Sequence, residues 1–355
     1  MPLRLHYSRR ALRFNFPART SRGALTEHVA WYLHLTDTNQ PDQRAVGEAA
    51  PLAGLSPDFT PEFEARLHTL CTDFNRAQLT EAGQVDAQAW VEPQWPALRF
   101  GLETALLDWQ GGGQHRLFDN AFSRSEAGIA INGLVWMGDA AFMGDQIQQK
   151  LAQGYRCLKL KIGSLDFVTE LELLARIRQA ASPAELVLRV DANGAFSPAE
   201  APGKLARLAE YSLHSIEQPI AAGQPAALAA LCRSSPVPIA LDEELIGITN
   251  PAQQVALLEA ARPAYIVLKP TLLGGLAATA HWIELAEARG IGWWLTSALE
   301  SNVGLNAISQ FTAQYALGNM AQGLGTGQLY HNNVASPLRV SGGLLHYDSH
   351  GQWEV

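Results

Sequence analysis

The 355 residues carry a formal net charge of −8 with 47% apolar and 17% charged residues, which supplies a large core and excludes general disorder. An acidic balance without a basic stripe excludes nucleic acid as the expected partner. The chain has no apolar run of membrane length and no basic-then-apolar N-terminus, so the expectation is a cytoplasmic protein with no membrane partner. Three cysteines, Cys71, Cys157 and Cys232, are odd in number and lack ligand spacing, which argues against a disulfide framework.

In chain order, residues 2–16 and 28–36 alternate apolar and polar positions and predict two antiparallel strands. Between them the stretch PARTSRG is polar. It reads as a solvated turn or, through Arg19, Arg22 and Gly23, as a lid closing on an anion. Helical spacing follows over 60–75, 86–91 and 95–110, where Leu98, Leu102, Leu106 and Trp109 recur on one face. The glycine run at 111–113 and the polar stretch to Ser125 punctuate the chain.

Beyond that point apolar runs alternate with helical patterns over 138–154, 165–181, 197–211, 224–234, 250–261, 276–289 and 304–317. Ser197-Pro198 and Asn250-Pro251 each place a capping residue before a proline, a helix start signal. Lys161, Asp191, Glu217, Asp242, Lys269 and Ser297 follow one another at strides of 30, 26, 25, 27 and 28 residues. Strides of 29 back to Asn132 and 28 on to Gly325 complete eight predicted strand ends, enough to close a barrel whose chemistry sits at the C-terminal ends of its strands. The expected fold is therefore α/β: a (β/α)8 barrel, a modified TIM barrel, over 125–331. An α+β capping domain is expected from 1–112, joined by a strand-forming tail over 332–355.

Asp191, Glu217 and Asp242 would project from three consecutive strands into one mouth. Taken singly, each could cap a helix or pair with a lysine. Three in register would repel unless a hard divalent cation relieved them, and oxygen-only ligands favour Mg²⁺, with Mn²⁺ second. Lys159 and Lys161 alternate in KLKIG and share a strand face; Lys269 stands opposite on the sixth strand. A buried lysine beside other cations loses pKa and can act as a base. A base, a Lewis acid and a second cation around a small-molecule carboxylate fit removal of the proton α to that carboxylate. Singly, each lysine could equally be a salt-bridge partner, Lys159 above all.

KLKIG, RVDANGAF, IEQPI, LDEEL, IVLKPTLLGG and TSALESNVGL, in this order, resemble the enolase superfamily, in its muconate-lactonizing-enzyme subgroup, over essentially the whole chain. Within it the SALESNVGLNAISQFTA segment is most similar to the o-succinylbenzoate synthases of menaquinone biosynthesis. The resemblance implies Asp191, Glu217 and Asp242 as Mg²⁺ ligands, Lys161 as the acid/base and Lys269 as the cation facing the enediolate. It places Arg189 and Asn193 around the ligands, and Ser297, Glu300, Gly325 and Thr326 near the substrate. It implies a lyase that dehydrates a cyclohexadiene carboxylate. The alternative use of the same lysines is an N-acylamino-acid racemase or dipeptide epimerase, and the remote one a barrel binding an acidic ligand without turnover. The turn Gly325-Thr326-Gly327 offers N–H groups to an anion, which favours a succinyl carboxylate over a free amine. PARTSRG and the residues around Gly47-Glu48 match no loop of the resemblance.

Overall fold

The computed structural model describes residues 2–20 and 23–355. The alternating N-terminal segments form an antiparallel hairpin, β1 (Arg4–Thr20) and β2 (Gly23–Thr36), and β3 (Arg44–Ala49) pairs with β2. The strands run further into PARTSRG than the sequence predicts. A register irregularity between Arg13 and Ala18 absorbs Pro17, which has no N–H for a ladder, and Ala18, Arg19 and Thr20 then pair with Leu25, Ala24 and Gly23. Helices α1 (Phe63–Arg76), α2 (Ala87–Trp90) and α3 (Pro96–Gln110) cover one face of this sheet, burying Leu98, Leu102, Leu106 and Trp109 as their spacing requires. Among the described residues no helix is long and apolar enough to cross a membrane.

A two-residue strand, β4 (Ile129–Ala130), leads into the second unit. Its parallel sheet comprises β5 (Gly133–Val135), β6 (Cys157–Lys161), β7 (Val187–Asp191), β8 (Ser215–Glu217), β9 (Ile239–Leu241), β10 (Tyr265–Leu268) and β11 (Gly292–Leu295), paired in chain order. Outside it lie α4 (Ala140–Ala152), α5 (Phe167–Ala180), α6 (Ala201–Leu208), α7 (Pro225–Ser234), α8 (Pro251–Ala261), α9 (Pro270–Leu273), α10 (Leu276–Glu287) and α11 (Asn302–Thr312). Period-two alternation sorts each strand: Leu158, Leu160, Leu188 and Val190 join the core under the helices, while Lys159, Lys161, Arg189 and Asp191 face the barrel interior.

The eighth position is not a full strand. Single bridges join Gln322 to Ile131 and Gly323 to Thr296, closing the sheet between its first and last members. Two helix starts come out differently. Asn250 caps α8, its side chain accepting from Ala252 and Gln253 N–H. Ser197 instead bonds the Glu200 carboxylate across a turn, and α6 starts only at Ala201, with Pro202 in its first turn. The tail hairpin, β12 (Leu338–Ser341) with β13 (Leu344–Tyr347), pairs with β4 and not with the N-terminal sheet. Contact with β1 is made just before it, where Arg13 N–H donates to Asn332 Oδ1, Asn332 Nδ2 donates to the Ala11 carbonyl and Tyr330 bridges Phe14.

Candidate active site

Lys161 of β6, Asp191 of β7 and Glu217 of β8 are successive register partners, so three strands bring an ammonium and two carboxylates side by side. Asp242 and Lys269 each stand one residue beyond their strands, β9 and β10. Asn132 precedes β5, where the strides placed it at a strand end, because β4 and the closing bridge at Ile131 use up the run before it.

The five side chains and Lys159 form one buried ionic cluster. Lys159 Nζ lies 2.5 Å from Glu217 Oε2 and 2.8 Å from Asp191 Oδ2, Lys161 Nζ lies 2.7 Å from Asp191 Oδ2, and Lys269 pairs with Asp242. Asn193, in a left-handed conformation at φ 44°, accepts from Lys161 through Oδ1 at 2.9 Å and reaches Glu243 through Nδ2. Burial lowers the Lys161 pKa; Asp191 opposes this, and the Lys159 ammonium reinforces it. For Lys159 and Lys269 burial acts the same way, but the carboxylates they touch outweigh it and raise both. Burial and the neighbouring Asp191 push Glu217 up to about 8. Thus two lysines of one strand face, two residues apart, are driven in opposite directions by what they touch.

The donor set for a metal is oxygen only, and buried Glu217 Oε1 has no hydrogen-bond partner. That chemistry fits a hard divalent cation. Among the described residues, however, no three His, Cys, Asp or Glu side chains stand where they could hold an ion together. Lysine ammonium groups hold one oxygen of each carboxylate, Asp191 Oδ2, Glu217 Oε2 and Asp242 Oδ2, and leave Glu217 Oε1 without a partner.

Lys159, Lys161 and Lys269 open into one cavity. Leu52 and Leu55 from the N-terminal unit, with Leu134, Trp136 and Leu299, form its apolar side. Asn132, Thr296 and Thr326 line it as well, and each carries a buried side-chain oxygen without a partner. Ser297 and Gly325 also line it. Sequence reasoning missed Thr296, Leu134, Trp136 and the two leucines of the cap; only the Thr296-Ser297 adjacency at a strand end offered a signal.

Arg189, Glu300 and the described residues of the expected lid lie elsewhere. Arg189 faces the interior but bonds the Ala321 carbonyl at 2.8 Å and lies 4.1 Å over the Trp294 ring, because its long side chain turns away from the charged mouth. Glu300 is buried behind the cavity, accepting from Ser297 Oγ at 2.5 Å. Arg19 is exposed and Gly23 turns the hairpin at φ 130°, while Arg22 lies outside the described residues. What the hairpin presents to the barrel is aromatic: Phe16 meets Trp136 at 6.3 Å and Phe142 at 6.1 Å.

Comparison with known proteins places this geometry in context. Residues 143–351 match the family described as enolase C-terminal domain-like. The chain is 50% identical to the o-succinylbenzoate synthase of Desulfotalea psychrophila, over 97% of this chain and 98% of that one. It is 24% identical to the hydrophobic dipeptide epimerase of Roseobacter litoralis, over 96% and 98%. The crystal structure of MenC from Desulfotalea psychrophila superposes with a TM-score of 0.86 at 46% identity, covering 98% of this chain and 100% of that one. A muconate lactonizing enzyme from Pseudomonas fluorescens shares the fold at a TM-score of 0.80 and 21% identity, over 99% and 97%.

Proposed function

The chain belongs to the enolase C-terminal domain-like family, an enzyme of the lyase type, and from that premise we propose that it forms o-succinylbenzoate by syn-dehydration of a cyclohexadiene carboxylate. In this reading residues 1–112 cap a barrel over 125–331, and the reaction runs in the cytoplasm within menaquinone biosynthesis.

The observation that carries the mechanism is that Lys161 and Lys269 face one cavity from opposite ends of the carboxylate row. Lys161, its pKa lowered, takes the proton α to the ring carboxylate. Asp191 and Asn193 fix its Nζ for that transfer. The ammonium so formed remains on the same face and returns the proton to the departing β-hydroxyl, which leaves as water while the ring becomes aromatic. Lys269 serves as a cation that faces the developing enediolate without exchanging a proton. Members of the family are generally dependent on a divalent metal, and Asp191, Glu217 and Asp242 would hold it here, Mg²⁺ in preference to Mn²⁺. Bound there, it would supply Lewis-acid stabilisation of the charge that builds on the substrate carboxylate. The apolar side of the cavity suits the ring, and the unpartnered oxygens of Thr296 and Thr326 suit the polar substituents.

Two lysines on one cavity also suit a racemase working from both faces of an N-acylamino acid or dipeptide. The Gly325-Thr326 turn lines the cavity and offers N–H groups to an anion in place of an acidic group for a substrate amine, which favours the dehydratase. The deciding experiment supplies the purified protein with the cyclohexadiene carboxylate and, separately, with N-succinyl amino acids in deuterium oxide. Appearance of the aromatic product is expected, abolished by chelation and restored by Mg²⁺ better than by Zn²⁺. Rapid racemisation with no aromatic product would reverse the assignment.

A further inference from the structure

After β11 the chain turns over residues 296–301 before entering α11, and Thr296, Ser297, Ala298 and Leu299 all line the cavity. Leu299 holds φ 71°, a left-handed conformation that costs a residue with a Cβ about 1–2 kcal/mol. Such strain persists where the surroundings over-determine it, and it concentrates at ligand clamps. Three groups impose it here. Glu300, fully buried, accepts from Ser297 Oγ at 2.5 Å, from Ala298 N at 2.8 Å and from Thr271 Oγ1. The Tyr330 hydroxyl donates to the Leu299 carbonyl at 2.6 Å. The third group comes from the other unit: Glu48 of β3 accepts from Ser301 N at 2.7 Å, Ser301 Oγ at 2.6 Å and Gly304 N at 2.7 Å.

Glu48 exceeds what capping α11 requires. Ser301 already caps that helix by accepting from Val303 N–H. Glu48 is fully buried, forms no ion pair among the described residues, and has Glu300 as its charged neighbour. A carboxylate so placed is costly unless every bond it accepts is made, so its bonds hold only in one geometry. Gly304 enforces that geometry, since a Cβ there would come within 3.0 Å of Glu48 Oε2 and 2.8 Å of Glu300 Cβ. β3 also leads directly into Leu52 and Leu55, the leucines the cap contributes to the cavity.

We infer that Glu48 is a positioning residue for the reaction. It joins the cap to the 296–301 turn in one fixed relation, so the two sides of the cavity meet the substrate at a set distance and discriminate among substrates. The kinetic half of this inference rests on the proposed dehydration; the structural half does not.

The test compares wild type with Glu48→Gln, in which an NH₂ group replaces one of two acceptor oxygens that together face three donors. Amide exchange over residues 298–304 is expected to quicken at least about tenfold, from losing charge-assisted bonds. KM for the cyclohexadiene carboxylate and Kd for the aromatic product are expected to rise about tenfold or more, with kcat within about threefold, the pattern of lost uniform binding. Tyr330→Phe, which keeps its ring in place, should raise KM in the same direction and is the reading variant if Glu48→Gln does not fold. Faster exchange with unchanged KM would reduce Glu48 to a structural tie and overturn the inference, as would unchanged exchange. Should wild type turn over N-succinyl amino acids instead, KM is read on those, so failure of the dehydratase and failure of the tie are separate results.

Discussion

Lys159 and Lys161 differ in nothing the sequence displays: same residue, same strand, same face. Their neighbours differ. Lys159 is clasped by two carboxylates and gains affinity for its proton, while Lys161 shares Asp191 with Lys159 and loses it. On the proposed function the base is Lys161, and replacing it by arginine should leave folding intact and lower kcat by about 10²–10⁴, since guanidinium gives up no proton at working pH. Steady-state turnover checks this, and a variant keeping more than about a hundredth of wild-type rate would remove Lys161 from the role. Lys269→Arg tests a different demand. A residue needed only for charge tolerates arginine, so dehydration well above that of Lys161→Arg is expected; equal loss in both variants would give Lys269 a proton-transfer role.

Among the elements, carboxylates borrowed from elsewhere recur at helix N-termini. Glu48 serves α11, Glu103 of α3 accepts from Leu276 and Ala277 N–H of α10, and Asp58 accepts from Ala97 N–H of α3. Asp58 is fully buried with Oδ1 unpartnered, and burial pushes its carboxyl up to about 7 from 3.8. An acid held more tightly protonated in the fold costs nothing below about pH 4, costs more as pH rises towards 7, and costs a constant amount above. Asp58→Asn should therefore gain stability relative to wild type across that window, with an upper figure of about 4 kcal/mol at pH 8. Urea unfolding at pH 4.5 and pH 8 measures it, and a difference independent of pH would mean Asp58 is ionised throughout. A second element-level contact is the approach of β3 to α3. A Cβ at Gly47 would strike the Gly101 carbonyl and lie 2.6 Å from Ala105 N, all backbone that cannot yield without parting sheet from helix. Gly47→Ala should destabilise by about 1–3 kcal/mol or more, the range for overpacking, visible as a lowered denaturation midpoint.

At the scale of the molecule the barrel is closed by a seam of side-chain and single backbone bonds in place of an eighth ladder. Gln322 does most of it. Its N–H donates to the Ala130 carbonyl, its carbonyl accepts from Asn132 N–H, its Oε1 accepts from Leu295 N–H at 2.8 Å, and its Nε2 donates to the Met320 carbonyl. Removing the side chain strands the buried Leu295 N–H, so Gln322→Ala should cost about 1–3 kcal/mol in equilibrium unfolding. A cost near zero would show that Leu295 finds another acceptor. The same seam lies against Thr296 and Gly323 of the cavity, so the variant should also raise KM.

By itself the sequence determined whatever depends on period and stride. Alternation put Lys159, Lys161 and Asp191 on one face of their strands, and a near-constant interval placed Asp191, Glu217, Asp242 and Lys269 at consecutive ends of a closed parallel sheet, because a βα unit has a nearly fixed length. Tertiary structure alone decided what depends on contacts between residues far apart in the chain. Which lysine is clasped and which is poised turns on carboxylates 30–58 residues away. Pairing of the tail with β4 was equally hidden, since an alternating strand fits any free edge and the sequence does not say which edge is free. The sequence likewise showed Glu48 only as an acid outside any recognisable loop pattern. Its partners, Ser301 and Gly304, are more than 250 residues on, and only the docking of cap on barrel makes a buried carboxylate there both affordable and necessary.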